Sequence, residues 1–218
     1  MVRGVPVRAR LGALLLLVGL ATAACSPGVA NQADGEQRAA DAKQATKELA
    51  EAGRQPLGCD NIVASRDKRA TAAPEHMMLL IDAGAVAEPC GDKITFTFKP
   101  TGANVPPGYT IEYRDPPFVE GDAGQYTVET LGNAFLYITF APASETDWTS
   151  GSPKQTYPGN LKLRLEDMHY TEIVRKIIDH PDGTQSWLIG LTEKRPFTVD
   201  GVTSSKFGVS QVSVYIMK

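Results

Sequence analysis

Apolar and polar residues alternate along most of the chain beyond residue 58. Ile94, Phe96 and Phe98, for instance, are separated by single threonines. A period of two places alternate side chains on one face of an extended strand, so this pattern predicts half-buried β-strands. Similar alternation, or a denser apolar run, occurs in residues 109–113, 135–140, 161–165, 173–178, 187–191, 197–199 and 212–216. We therefore predict an all-β fold, an antiparallel β-sandwich of about eight to ten strands.

Turn-forming residues separate the apolar runs. Asp182-Gly183 lies between residues 173–178 and 187–191, and Asp-Gly in this setting is typical of a β-hairpin. Most prolines also fall between the runs, where their missing N–H does not interrupt strand pairing. Residues 77–87 fit either a first strand or a short helix, and the sequence leaves both alternatives open.

The N-terminal segment has a different pattern. Arg3, Arg8 and Arg10 precede the uncharged and mostly apolar residues 11–24. As a helix this stretch is about 21 Å long, shorter than the roughly 30 Å hydrocarbon core of a bilayer. Residues 1–24 are therefore predicted to be a secretory signal peptide rather than a transmembrane helix.

The end of this segment offers two cleavage sites. Ala21-Thr22-Ala23 resembles an ordinary secretory site, and Ala23-Ala24-Cys25 resembles a bacterial lipobox. Of the three cysteines, lipid on Cys25 would leave Cys59 and Cys90 as one pair. We therefore expect Cys25 to carry diacylglycerol and acyl chains such as palmitate, with ordinary cleavage as the alternative. The lipid would anchor the protein on the extracytoplasmic face of a bacterial cell membrane.

Composition divides the remaining chain in two. Residues 25–57 are rich in Ala, Gln, Lys and Glu, and every aromatic residue lies beyond them. They contain too little apolar surface to form a core, which predicts a flexible or helical tether. Residues 58–218 form the predicted domain. Because an exported protein is exposed to an oxidising environment, we expect a disulfide between Cys59 and Cys90 at its start.

Charge and motif content argue against several functions. The chain has 22 basic and 25 acidic residues, without the clustered positive excess that nucleic-acid binding requires. His76, His169 and His180 lack metal-ligand spacing, so we predict no metal and no cofactor. Ser65 and Lys68 have the S-x-x-K spacing of penicillin-binding enzymes, but the partner motifs of those enzymes are missing from the sequence. The protein is predicted not to be an enzyme.

Four residues are candidates for contact with a ligand. Trp148 and Tyr157 lie in polar segments, where a large aromatic side chain either caps the end of a sandwich or meets a ligand. Tyr113 and Arg114 precede an Asp-Pro-Pro turn. The Arg114 guanidinium is suited to holding a carboxylate, and a surface ion pair is the alternative.

The order of several short segments carries a family resemblance. These segments are residues 91–98 (GDKITFTF), 107–113 (PGYTIEY), 132–138 (GNAFLYI), 141–143 (APA), 172–174 (EIV), 187–191 (WLIGL) and 195–197 (RPF). Together they resemble the AMIN-like domain of bacterial cell-envelope lipoproteins, over residues 77–218. One departure is visible, because a Gly-aromatic-Asp-Arg sequence is expected where this chain has Cys90-Gly91-Asp92-Lys93.

The resemblance implies a β-sandwich without catalytic activity. AMIN domains proper are thought to bind peptidoglycan, and by analogy this domain is expected to bind a cell-wall polymer or an envelope partner. The alternative is an accessory protein–protein interaction module of an envelope complex, without affinity for the wall. Both are analogies at the level of the fold, which does not by itself determine function.

Overall fold

The computed structural model describes part of the chain. The described residues are 44, 47, 48, 59, 62–121, 126–180 and 183–218. The predicted signal peptide, the predicted lipidation site at Cys25 and nearly all of the predicted tether lie outside them. Within these residues, no helix is long and apolar enough to cross a membrane.

Fourteen strands make up the secondary structure of the described domain. They are β1 (Arg69–Ala70), β2 (Met78–Glu88), β3 (Gly91–Pro100), β4 (Gly108–Tyr113), β5 (Val119–Glu120), β6 (Tyr126–Thr127), β7 (Ala134–Ala141), β8 (Ala143–Ser144), β9 (Thr146–Asp147), β10 (Lys154–Gln155), β11 (Thr171–His180), β12 (Thr184–Leu191), β13 (Phe197–Ser204) and β14 (Val209–Met217). Six have only two residues, and the other eight account for the predicted number of strands. The predicted all-β fold is confirmed, and residues 77–87 lie mostly in strand β2.

Two five-stranded sheets form the sandwich. One has the order β1-β4-β7-β12-β11 and the other the order β13-β14-β3-β2-β8. Neighbouring strands are antiparallel except β2 and β8, which are parallel. The apolar residues of the two sheets meet between them. The Phe96 ring of one sheet lies 5.0 Å from Phe140 and 5.1 Å from Trp187 of the other, in edge-to-face geometry that favours aromatic packing. The predicted antiparallel β-sandwich is confirmed.

The prediction of a strand at residues 161–165 was wrong. This segment has only an isolated bridge between Lys162 and Arg175. Two backbone hydrogen bonds, from Leu163 N–H to Val174 and from Lys176 N–H to Leu161, tie it to β11. Leu163 and Leu165 pack against the core, whereas Leu161 is exposed. The segment thus lies beside the edge of a sheet without the continuous pairing that a strand requires.

A disulfide and an N-terminal arm close one side of the sandwich. The predicted disulfide between Cys59 and Cys90 is present. We call residues 62–71 the N-terminal arm. Ser65 in this arm exchanges backbone hydrogen bonds of 3.1 and 2.8 Å with Phe197 of β13. Because β1, also in the arm, pairs with β4, the arm connects the edge of one sheet to the edge of the other.

Tyr157 is a core residue. Its side chain is 2% exposed, and its ring lies 6.0 Å from Trp187. Of the two sequence alternatives, capping of the sandwich therefore describes Tyr157, and contact with a ligand does not. Burial, together with the nearby negative charges of Asp82 and Glu145, raises the pKa of Tyr157 to about 12.

A buried carboxylate joins the two sheets at one end of the sandwich. Asp92 of β3 has no exposed surface. It accepts backbone hydrogen bonds from His169 at 2.7 Å and from Tyr170 and Thr171 at 2.8 Å. The Thr171 hydroxyl donates a fourth, also at 2.8 Å. One side chain on β3 thus accepts the hydrogen bonds of three successive N–H groups, and this fixes the start of β11 against β3.

Replacing this carboxylate is expected to destabilise the domain. Asp92→Ala would leave three N–H groups and one hydroxyl of residues 169–171 without their acceptor. Each buried unsatisfied group costs about 1–3 kcal/mol, so we expect the free energy of unfolding to fall by about 3 kcal/mol or more. Urea unfolding followed by tryptophan fluorescence measures this change. Asp115→Ala, at an exposed position, is the matched control, and an equal loss in both variants would contradict the prediction.

Alkaline pH is expected to destabilise the domain through Tyr157. The unfolded phenol has a pKa of 10.0 and the folded one a pKa of about 12. As pH rises between these values, the unfolded state releases the proton while the folded state retains it, so the free energy of unfolding falls. Tyr157→Phe removes this contribution. Urea midpoints at about pH 8 and about pH 11 should therefore decrease less in the variant than in the wild type. Identical decreases would show that Tyr157 is not the group responsible.

Candidate functional site

Tyr113 is held rigidly at the end of β4. Its hydroxyl donates a 2.6 Å hydrogen bond to the Arg195 carbonyl and accepts a 3.0 Å bond from the Arg195 N–H. Burial raises the pKa of Tyr113, against the opposing effect of the Arg195 hydrogen bond. The Lys194 ammonium lies 4.7 Å from the centroid of the ring, in the position of a cation–π interaction.

A second cation and aromatic ring lie beside this pair. The Arg195 guanidinium is 4.2 Å from the centroid of Tyr170. Its Nε donates to the Met217 carbonyl at 3.0 Å, and its Nη1 pairs with Glu193 at 2.9 Å. The Arg66 guanidinium reaches the same place from the N-terminal arm and donates to the Lys194 carbonyl at 3.1 Å.

These residues form one surface, which we call the basic–aromatic end. Its members are Arg66, Tyr113, Tyr170, Lys194 and Arg195. Lys194 is exposed, and no carboxylate among the described residues lies within salt-bridge distance of its ammonium. The basic–aromatic end thus presents an unpaired positive charge beside ordered aromatic rings.

Arg114 lies next to this surface but already has a carboxylate partner. Its Nη2 is 2.6 Å from Glu112, and its guanidinium is 4.3 Å from the ring centroid of Tyr137. Lys68 pairs with the same glutamate at 3.0 Å. Hydrogen bonds from Arg114 and Lys68 hold the pKa of Glu112 below its usual value. The structure therefore agrees with the surface ion pair that the sequence left open for Arg114.

Trp148 is exposed in a tight turn elsewhere on the domain. Its side chain is 65% exposed and has no ring contact or side-chain hydrogen bond with another described residue. Asp147 holds the turn by accepting hydrogen bonds from the N–H and hydroxyl of Thr149 at 2.8 and 2.7 Å. These bonds lower the pKa of Asp147.

The structure does not bring the four predicted ligand-contact residues together. Tyr113 and Arg114 lie at the sandwich end that contains Cys90 and Met217. Trp148 follows strand β9, and the preceding strand β8 pairs with the start of β2 at the opposite end. Tyr157 is in the core between them.

Sequence reasoning missed Arg66, Tyr170, Lys194 and Arg195. The Arg195–Tyr170 contact joins residues separated by the whole of β11 and β12, and no local pattern indicates it. Residues 193–195 are a run of three charged residues before a proline, which is typical of a solvated turn. The family resemblance did include residues 195–197, and this was the one feature of the sequence that pointed to Arg195.

Two arrangements that the sequence raised, a metal site and the S-x-x-K pair, can be compared with the described residues. Among them, no group of three or more His, Cys, Asp or Glu side chains is placed to hold an ion. Lys68 pairs with Glu112, whereas the Ser65 hydroxyl contacts the Asp67 N–H at 3.1 Å and Arg69 at 3.3 Å. Serine and lysine of the S-x-x-K sequence are thus engaged with different partners.

Comparison with known proteins identifies the family. The sequence model of the AMIN-like domain matches residues 80–214, more than half of the 218-residue chain. No curated protein matches the chain, and no solved structure does. The matched region begins in β2 and ends in β14, so it spans both sheets of the sandwich. The chain therefore belongs to the AMIN-like domain family.

Proposed function

We propose that this protein is a non-enzymatic envelope lipoprotein whose β-sandwich binds peptidoglycan. Cys25 carries the lipid that anchors it on the extracytoplasmic face of a bacterial cell membrane, and the tether holds the domain away from the bilayer. Membership of the AMIN-like family supports an envelope role. The observation that carries the binding proposal is the position of Lys194 over the Tyr113 ring, with no carboxylate partner among the described residues.

The chemistry of the basic–aromatic end fits a wall polymer. Peptidoglycan combines sugar rings, which stack on aromatic faces, with peptide carboxylates, which pair with ammonium and guanidinium groups. Tyr113 is fixed by two hydrogen bonds to Arg195, so little side-chain entropy is lost when a ligand binds to it. Arg66 adds a guanidinium beside Lys194.

Trp148 supports the alternative function, an accessory protein-interaction module without wall affinity. An exposed tryptophan without a partner in its own domain is the type of residue that dominates protein–protein interfaces. Because Trp148 and the basic–aromatic end lie at opposite ends of the sandwich, the two functions predict different sensitive residues.

Cosedimentation with insoluble peptidoglycan sacculi tests the proposal. The full-length protein, purified in detergent, is expected to pellet saturably and to remain bound at moderate salt. Lys194→Gln combined with Arg66→Gln should weaken binding roughly tenfold, because each substitution removes a charged donor. The matched control is Lys206→Gln combined with Arg164→Gln, which changes the charge equally at exposed positions outside this surface and outside the turn that carries Trp148.

Other outcomes are equally decisive. Equal weakening in both double variants would show that binding depends on bulk charge rather than on the basic–aromatic end. Loss of binding in Trp148→Ala alone would assign the wall contact to the turn after β9. A protein that stays in the supernatant at every salt concentration would overturn wall binding. A photo-crosslinking amino acid at position 148 would then test the accessory function by capturing a protein partner.

A further inference from the structure

A groove lies between the free edges of the two sheets, apart from the basic–aromatic end. Its volume is ≈ 380 Å³, within the range of about 300–1,000 Å³ that small-ligand sites occupy. The lining residues are Val63, Arg69, Ala70, Tyr109, Thr198 and Val199. They come from the N-terminal arm, β4 and β13, so the groove exists only because the arm crosses from one sheet to the other.

Arg69 is a guanidinium without a counterion in the described structure. Its Nη2 lies 3.3 Å from the Ser65 hydroxyl, and its Nε is buried without a hydrogen-bond acceptor. No carboxylate of the described residues lies within 4.0 Å of it. By contrast, carboxylates pair with Arg114, Arg164, Arg175 and Arg195. Because a guanidinium stays charged at all physiological pH values, the groove carries a fixed and uncompensated positive charge.

Tyr109 supplies a second donor, on the strand β4 that pairs with β1. Its side chain is half-buried, and no described residue is hydrogen-bonded to its hydroxyl. Burial raises the pKa of Tyr109, so the phenol keeps its proton and remains a donor. Arg69 and Asp200 act on it with opposite electrostatic effects, which places an exposed carboxylate near the groove as well. The groove therefore presents donors for an anionic group, with one acidic residue nearby.

The edge of β13 adds backbone hydrogen-bonding groups. The N–H and C=O of Phe197 point away from β14, because they pair with Ser65. In an antiparallel strand the groups two residues further on point the same way, so Val199 directs its N–H and C=O toward the groove. At Gly201 an added Cβ would lie 3.3 Å from Pro106. A Cβ projects from the face of a strand, so Pro106 lies over the face of β13 at Gly201, whereas Ser65 occupies the edge at Phe197. Beyond Ser65, the edge at Val199 has no backbone partner among the described residues, which leaves room for the end of a short peptide.

We propose that this groove binds the C-terminal end of a peptidoglycan stem peptide. The terminal carboxylate pairs with the Arg69 guanidinium and accepts a hydrogen bond from the Tyr109 hydroxyl, while the peptide backbone pairs with Val199. The charge, the size and the free backbone groups at Val199 all suit a small peptide with a free carboxylate. That the peptide comes from peptidoglycan rests on the proposed wall-binding function. That it has a free terminal carboxylate follows from the groove itself.

Fluorescence polarisation with the full-length protein in detergent tests this site. The probe is fluorescein-labelled Lys-D-Ala-D-Ala with a free carboxylate, and the comparison peptides are its C-terminal amide and its all-L form. We expect the free D-peptide to bind and the amide to bind about tenfold more weakly, because it lacks the charge that pairs with Arg69. The amide comparison uses unaltered protein, so it does not depend on the folding of any variant.

Substitutions assign the contact to the groove. Arg69→Gln should weaken binding of the free acid about tenfold and abolish the difference between acid and amide. Tyr109→Phe should weaken binding about threefold, with unchanged circular dichroism. Arg164→Gln, which removes an exposed arginine away from the groove, should bind the peptide like the wild type.

Each result separates this site from the proposed function. Equal binding of acid and amide, or undiminished binding by a folded Arg69→Gln variant, would overturn carboxylate recognition. Binding of the L-form alone would overturn the assignment to wall peptide. Sacculi that pellet the protein without any peptide binding would overturn the groove and leave the proposed function standing. Peptide binding without pelleting would support the groove and overturn polymer binding by the basic–aromatic end.

Discussion

The hydrogen bonds accepted by Asp92 are the constraint on which the described surface depends. This buried carboxylate fixes residues 169–171 against β3. Tyr170 is therefore positioned by its own backbone, and its ring receives the Arg195 guanidinium. The backbone of Arg195 in turn holds the Tyr113 hydroxyl. One acidic residue in the core thus determines, through two intermediates, where the aromatic rings of the basic–aromatic end lie.

The N-terminal arm is the second constraint. A sandwich of two open sheets leaves unpaired strand edges, which favour unwanted association. The disulfide attaches the start of the domain to the turn before β3, and Ser65 and β1 then pair with both sheets. The arm covers only part of each edge, and the groove around Arg69 lies in the part that it leaves open. The N-terminal arm therefore both covers part of the sheet edges and forms a wall of the groove.

Strands could be predicted because alternation is a local property, whereas the site arises from distant residues. Ile94, Phe96 and Phe98 are all fully buried, as their spacing indicates. The same logic failed at residues 161–165, where leucines alternate but only one isolated bridge joins the segment to β11. Tyr157 shows that burial cannot be predicted from the polarity of neighbouring residues in the sequence. Polar neighbours suggested exposure, but the ring packs on Trp187, and only the tertiary structure brings these two residues together.

Local arrangement must account for binding, because net charge does not favour it. The chain has a formal net charge of −3, so bulk electrostatics would oppose its association with a wall rich in carboxylates. Lys194 and Arg69 are different, because neither has a carboxylate partner in the described structure, whereas four of the other five described arginines are paired. Arg66 and Arg69 both come from the N-terminal arm, three residues apart, and point to the two proposed sites. A glycan chain at the basic–aromatic end and its attached peptide in the groove would then contact the same arm. Recognition of both parts of one polymer would give specificity that neither charge nor aromatic stacking provides alone.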